Sequence, residues 1–187
     1  MRIIAGEFRG RKLKSLEGTT VRPTADRLRE TLFDILGPGI REAAVLDVFA
    51  GTGAIGLEAI SRGAREVVFI ESSADCIRLI RQNLALCGVK QGYRFIQQDV
   101  FFALRLLARE KFLPDVAFLD PPYNWKPYGD LLKTYFNLGL AHAATKVVIE
   151  HDRWSVLPEF GERFQATRVV RQSNHCLSFY SIANCEL

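Results

Sequence analysis

The sequence predicts an α/β fold: a mostly parallel sheet of seven strands, helices on both faces and an antiparallel hairpin at the C-terminal end. Three observations predict it. Short apolar runs alternate with helix-period segments through the middle of the chain, the pattern of repeated strand–helix–strand units. The first strand candidate runs directly into Gly51-Thr52-Gly53-Ala54-Ile55-Gly56, a glycine-rich turn opening a helix. The last stretch holds two consecutive strand patterns with no helix between them, which reads as a hairpin.

The elements follow in order. Residues 2–5 and 11–16 flank Glu7-Phe8-Arg9-Gly10-Arg11 and suggest a short N-terminal hairpin. From Thr24 the pattern turns helical. Thr24 suits an N-cap, Asp26 sits in the first turn, and Leu28, Leu32, Phe33, Ile35 and Leu36 form an apolar stripe. Gly37-Pro38-Gly39 ends that helix. Strands are then expected at Ala44–Phe49, Glu66–Ile70, Tyr93–Gln97, Asp115–Leu119 and Lys146–Ile149. Helices fit at Gly53–Arg62, Ser73–Cys87, Val100–Arg109 and Tyr128–Leu138. The hairpin strands are Arg163–Arg171 and His175–Ile182.

A chain of 187 residues, 48% of them hydrophobic, suits one domain with a substantial core. We read residues 1–187 as that single domain, with 1–40 a basic extension plus helix and 41–187 the core. No apolar run reaches the roughly 18 residues of a membrane span, and the start MRIIAGEFRG does not resemble a secretory signal. Cys76, Cys87, Cys176 and Cys185 form no CxxC pair; reduced thiols in a cytoplasmic protein are expected, with no metal site. His142, His151 and His175 lack metal-ligand spacing and are assigned no chemistry.

The net charge of +4 is unevenly placed. Residues 1–30 hold eight Lys/Arg and four Asp/Glu, while the other 157 residues carry 17 of each sign. The excess therefore lies at one end, where a polyanion is the natural partner; a solvated surface tail is the bland alternative.

The chemistry lies at the strand ends, because in open parallel sheets ligands sit beyond the carboxyl ends of the strands. Asp47, Glu71, Asp99, Asp120 and Glu150 end or follow the five parallel strand candidates. A GxGxxG turn with an acid 20 residues after Gly51 also fits a dinucleotide fingerprint. A pyrophosphate, however, would meet this acidic rim, at up to about 4 kcal/mol per like-charge pair for charges about 4 Å apart in an effective dielectric near 20. A cofactor carrying an ammonium, a sulfonium and a ribose fits instead, and S-adenosylmethionine is such a molecule.

Asp47-Val-Phe-Ala50-Gly51-Thr52-Gly53, Glu71, Asp99 and Asp120-Pro121-Pro122-Tyr123, in this order, resemble the class I S-adenosylmethionine-dependent methyltransferases. Arg9-Gly-Arg11-Lys12-Leu13, Arg22-Pro23-Thr24 and Arg27-Leu-Arg29-Glu-Thr-Leu-Phe-Asp34 narrow the resemblance to the RsmD family. That resemblance implies methylation of a guanine N2 amine in 16S ribosomal RNA of the small subunit, in the cytoplasm, by a monomer acting on an assembling subunit. Tyr123 stands where many members have Phe. Since DPPY also occurs in adenine-N6 enzymes, an adenine remains the alternative target, beside a dinucleotide oxidoreductase and a non-catalytic RNA-binding module.

The resemblance implies these roles. Asp47 holds the cofactor's ammonium, directly or through water. Ala50, Gly51, Thr52, Gly53 and Gly56 wrap its methionine part, Glu71 accepts from the ribose, and Asp99 with Val100 receives the adenine. Asp120, Pro121, Pro122 and Tyr123 are the catalytic set. The carboxylate and a backbone carbonyl grip an exocyclic amine while Tyr123 stacks on the base. Arg9, Arg11, Lys12, Arg22, Pro23, Thr24, Arg27, Arg29 and Trp125 are the expected RNA contacts. Glu150 is expected to shape the pocket floor.

Overall fold

A computed structural model of the chain describes residues 1–15, 23–122, 125, 127–158, 160 and 164–182. Arg22, Tyr123 and Cys185 therefore lie outside the described residues. Seven strands form one sheet: β1 Ala44–Val48, β2 Glu66–Ile70, β3 Tyr93–Ile96, β4 Val116–Leu119, β5 Lys146–Asp152, β6 Phe164–Gln172 and β7 His175–Ile182. Among the described residues five α-helices accompany them, α1 Pro23–Leu36, α2 Ala54–Ser61, α3 Ala74–Cys87, α4 Val100–Arg109 and α5 Tyr128–Asn137, with a short 3-10 helix at Gly37–Ile40. None of the described helices is long and apolar enough to cross a membrane.

The sheet order is β3-β2-β1-β4-β5-β7-β6. Strands β1 to β5 pair in parallel, while β7 runs antiparallel to both β5 and β6. The order reverses between β1 and β4, which opens a crevice beyond their carboxyl ends. Strands β1, β2 and β4 are covered on both faces, so they read as unbroken apolar runs rather than alternating ones. On one face α1, α2 and α3 pack Leu28, Leu32, Leu57, Ile80 and Leu84 against Val45, Phe69, Phe118 and Val148. On the other, α4 and α5 pack Leu104, Leu107, Leu132 and Tyr135 against Leu46, Val68, Leu119 and Ile149.

Most expected bounds hold within a residue. Two differ for physical reasons. Helix α1 begins at Pro23, so Thr24 lies within the helix and is not its N-cap; proline's fixed φ suits a first helical position. Strand β5 continues to Asp152 because β7 supplies partners as far as His175, which the parallel neighbour β4 alone could not. Cys76, Cys87 and Cys176 are free and buried.

The N-terminal hairpin is reduced to one bridge, Arg2 to Lys12, yet it is tightly held. Glu58 of α2, 0% exposed, accepts the backbone N–H groups of Ile4 at 2.7 Å and Ala5 at 3.0 Å and pairs with Arg62 at 2.8 Å. Ser61 accepts the N–H of Phe8 and donates to the carbonyl of Ala5. Asn83 of α3 bonds both the N–H and the carbonyl of Lys14 and also donates to the Thr52 carbonyl. The basic segment is thereby fastened to the glycine turn, with Arg9, Arg11, Lys12 and Lys14 left exposed.

Candidate active site

The crevice forms because β1 ends in a turn that few residues can make. Phe49 has φ 62° and Gly53, the N-cap of α2, has φ 74°. A side chain at Gly53 would also be crowded, since its Cβ would fall 2.9 Å from Ile80. Gly56 is required by close approach instead: a Cβ there would lie 2.2 Å from the Phe69 ring. Helix α2 thus sits hard against β2.

Two carboxylates fix this turn. Glu71 accepts the N–H of Gly51 at 2.9 Å with one oxygen and that of Ser73 at 2.8 Å with the other. Asp47, 2% exposed, accepts the N–H of Gly56 at 2.9 Å. Burial pushes the Asp47 pKa up to about 8, opposed by the Gly56 bond and reinforced by the charges of Asp120 and Glu71. Asp47 does not line the crevice; it is placed to orient the glycine turn, and any hold on an ammonium acts through that turn or through water.

A cleft of about 430 Å³ lies beyond the strands, lined by Phe49, Gly51, Glu71, Asp99, Val100, Asp120, Pro121, Pro122 and Trp125 among others. Its described lining contains no Lys or Arg. Ser72 and Gln98 also line it and were missed in the sequence, where neither stands in a motif. Asp99 caps α4, accepting the N–H groups of Phe101 and Phe102 on Oδ1. A carboxylate has a second oxygen to offer, so capping does not exhaust it. Ala50 closes the turn by donating to the Ile70 carbonyl.

Trp125 belongs to this cleft. It packs edge-on to Phe49 at 5.3 Å, stacks with Phe101 at 6.1 Å and meets Tyr128 at 6.0 Å. Its backbone N–H donates to the Pro122 carbonyl at 2.7 Å. Trp125 thus forms an aromatic wall of the cleft that also holds Glu71, Asp99 and Asp120.

A second cavity of about 170 Å³ lies on the α1 face. Met1, Leu28, Arg29, Leu32, Thr52, Ile55 and Phe118 line it together with Asp120 and Glu150. Asp120 is common to both cavities. It is exposed through the open cleft, but the surrounding protein raises its carboxyl pKa by desolvation.

The expected RNA contacts divide. Arg9 and Arg27 converge with Arg2, which was not among the expected contacts, and with Asp26 and Glu30 around a surface groove of about 320 Å³. Arg29 does not join them. It is 5% exposed, donates to the Arg2 carbonyl at 2.7 Å and pairs with Asp26 at 3.2 Å. That expectation is corrected: Arg29 holds α1 to the N-terminal segment, and two residues along the helix, about 200° of rotation, separate it from the exposed Arg27. Pro23 and Thr24 are the first two residues of α1.

The family model described as conserved hypothetical protein 95 matches residues 1–181. The chain is 34% identical over 159 residues to YlbH of Bacillus subtilis (strain 168), provisionally named an rRNA methyltransferase, across 85% of this chain and 86% of that one. It is 41% identical over 127 residues to ribosomal RNA small subunit methyltransferase D of Haemophilus influenzae, across 67% of this chain and 65% of that relative. The match thus spans just under two thirds of that relative's length. A solved Escherichia coli structure, yhhF, provisionally described as a methyltransferase, superposes with a TM-score of 0.84 at 31% identity, covering 98% of both chains.

Proposed function

The chain belongs to the family described as conserved hypothetical protein 95, and from that premise we propose that it methylates the N2 amine of a guanine in 16S ribosomal RNA, using S-adenosylmethionine. The observation that carries the reading is Asp120, a carboxylate after Leu119 that lines both the large cleft and the smaller cavity. Such a group can touch a donor on one side and an acceptor amine on the other. Relatives named for rRNA methylation support the substrate class.

The cofactor fits the chemistry of the cleft. A lining with Glu71, Asp99 and Asp120 and no Lys or Arg suits a cation with ribose hydroxyls and repels a pyrophosphate. When bound, it supplies an electrophilic methyl on a sulfonium. Glu71 and Asp99 hold the nucleoside half, and the glycine turn fixed by Asp47 and Glu71 receives the methionine half. Asp120 and the Pro121 carbonyl accept the two amine hydrogens, and Tyr123 stacks on the base. The proline pair keeps those acceptors rigid, so that the nitrogen lone pair points along the line of displacement. Acceptors at nitrogen also stabilise the positive charge that develops there.

The RNA is presented by the basic segment, within a small-subunit precursor in the cytoplasm, to a monomeric enzyme. The target base must leave its stack to reach Asp120, which is easiest in a loop. Reversing Arg9, Arg11 and Lys12 to Glu is expected to weaken binding to small-subunit RNA and to lower the salt slope by about 2 to 3, with the far-ultraviolet spectrum unchanged. Unaltered affinity would return the segment to a solvated tail.

The decisive experiment incubates the chain with labelled S-adenosylmethionine and under-methylated small subunits, then separates the nucleosides. N2-methylguanosine is the expected product. N6-methyladenosine would move the target to the alternative base, and no label with either would overturn the reading.

A further inference from the structure

Glu150 has no part in the mechanism above, yet it stands beside its central group. Phe118 of β4 pairs with Val148 of β5, and both pack on the α1 face. Side chains two residues further along each strand return to that same face, which brings Asp120 and Glu150 side by side on adjacent strands. Both line the 170 Å³ cavity, and each raises the other's cost of ionisation. Burial lifts the Glu150 pKa and the charge of Asp120 lifts it further.

Other titratable groups surround the pair. On β7, His175 Nδ1 lies 3.1 Å from Glu150 Oε1, which leaves Oε2 for other partners. On β1, Asp47 is bonded to Gly56. On β2, Glu71 is bonded to Gly51 and Ser73. On α1, Arg29 lines the same cavity; its Nη2 serves Asp26 and the Arg2 carbonyl, while its buried Nε–H has no hydrogen-bond partner among the described residues. On α5, the Tyr128 phenol feels both Asp120 and Glu150, and its pKa is raised, first by burial. Asp152, at the end of β5, is held by Trp154 and Ser155.

We propose that Asp120 and Glu150 hold one proton between them in the free protein, give it up when a cationic methyl donor binds beside them, and regain one from the methylated amine. This inference rests on the methyltransferase reading. Two adjacent carboxylates titrate as a unit and together hold a proton more tightly than either would alone. A sulfonium next to them supplies the missing positive charge, so both ionise. In transfer the S–CH₃ bond breaks as the N–CH₃ bond forms, the electron pair of the broken bond stays on sulfur, and the donor becomes neutral. The amine then loses one hydrogen as H⁺ to the pair. The positive charge leaves as the proton arrives, so the site keeps its net charge and is reset for the next donor. Glu150 acts through Asp120 and is a positioning residue.

Calorimetry at about pH 7 in buffers of different ionisation enthalpy counts the protons exchanged. S-adenosylmethionine is expected to release more protons than S-adenosylhomocysteine, by a difference approaching about one. In Glu150→Gln the difference shrinks without vanishing, because Asp120 loses its partner carboxylate while its own desolvation remains; an undiminished difference would take Glu150 out of the pair. In His175→Gln, which keeps an amide donor for Glu150, the difference is retained. Equal release by the two ligands in the unaltered protein would overturn the proposal without any variant, and loss of the difference in His175→Gln would move the proton to His175 and overturn the assignment. Failure of both ligands to bind would instead overturn the methyltransferase reading, together with the inference built on it.

Discussion

Replacing Asp120 with alanine is expected to lower methyl transfer by about three orders of magnitude, while S-adenosylmethionine affinity by calorimetry changes only by about threefold. The rate falls because the amine loses the acceptor that orients it and shares its developing charge. The affinity holds because most of the cleft lining, including Glu71 and Asp99, is untouched, and because Glu150 remains to supply a carboxylate to the shared cavity. Asn at this position keeps an acceptor oxygen but carries no charge, so its rate is expected between the two. Activity in Asp120→Ala equal to that of the parent would reject the clamp.

Replacing Glu58 with alanine is expected to cost about 3 kcal/mol, although the residue touches neither cavity. Two backbone N–H groups, at Ile4 and Ala5, and the Arg62 guanidinium would lose their common acceptor inside the fold. For a chain of this size the melting temperature should drop by about 6 to 12 °C. The damage should be local first. The amides of Ile4 and Ala5 should exchange fastest, and RNA affinity should fall because Arg9, Arg11 and Lys12 are no longer held against the glycine turn. Amide protection at Ile4 and Ala5 that matches the parent would show that Glu58 does not fasten the segment.

The two substitutions separate the parts of the proposed reaction. Asp120 acts at the reacting atoms. Glu58 acts on the presentation of the substrate, through a segment that carries all the excess positive charge of the chain. A methyltransferase of this length needs no separate RNA-binding domain if its basic segment is rigidly indexed to the cofactor turn, and Asn83, bonded to both Lys14 and Thr52, makes that link directly.

By itself the sequence determined the layered α/β architecture, because burial on both faces forces unbroken apolar strands, and the spacing of glycines and acids marks where each strand ends. It also marked the crevice acids Glu71, Asp99 and Asp120, which must follow their strands whatever the packing, though not Ser72 and Gln98 beside them. Only the tertiary structure decided how those acids are used. Asp47 and Glu71 are committed to backbone N–H groups of the glycine turn, because that turn leaves its donors inside the fold. Arg29 is turned inward to Asp26 and the Arg2 carbonyl; the helical period sets it on the apolar side of α1 beside Leu28 and Phe33, but only the tertiary structure supplies the carbonyl it bonds. Glu58 and Asn83 stand in ordinary helical positions and become anchors only when residues more than fifty positions away arrive beside them. The pairing of Glu150 with Asp120 and His175 depends on strand register across β4, β5 and β7. Register is set by which faces are buried, and no local pattern states which strand will lie alongside.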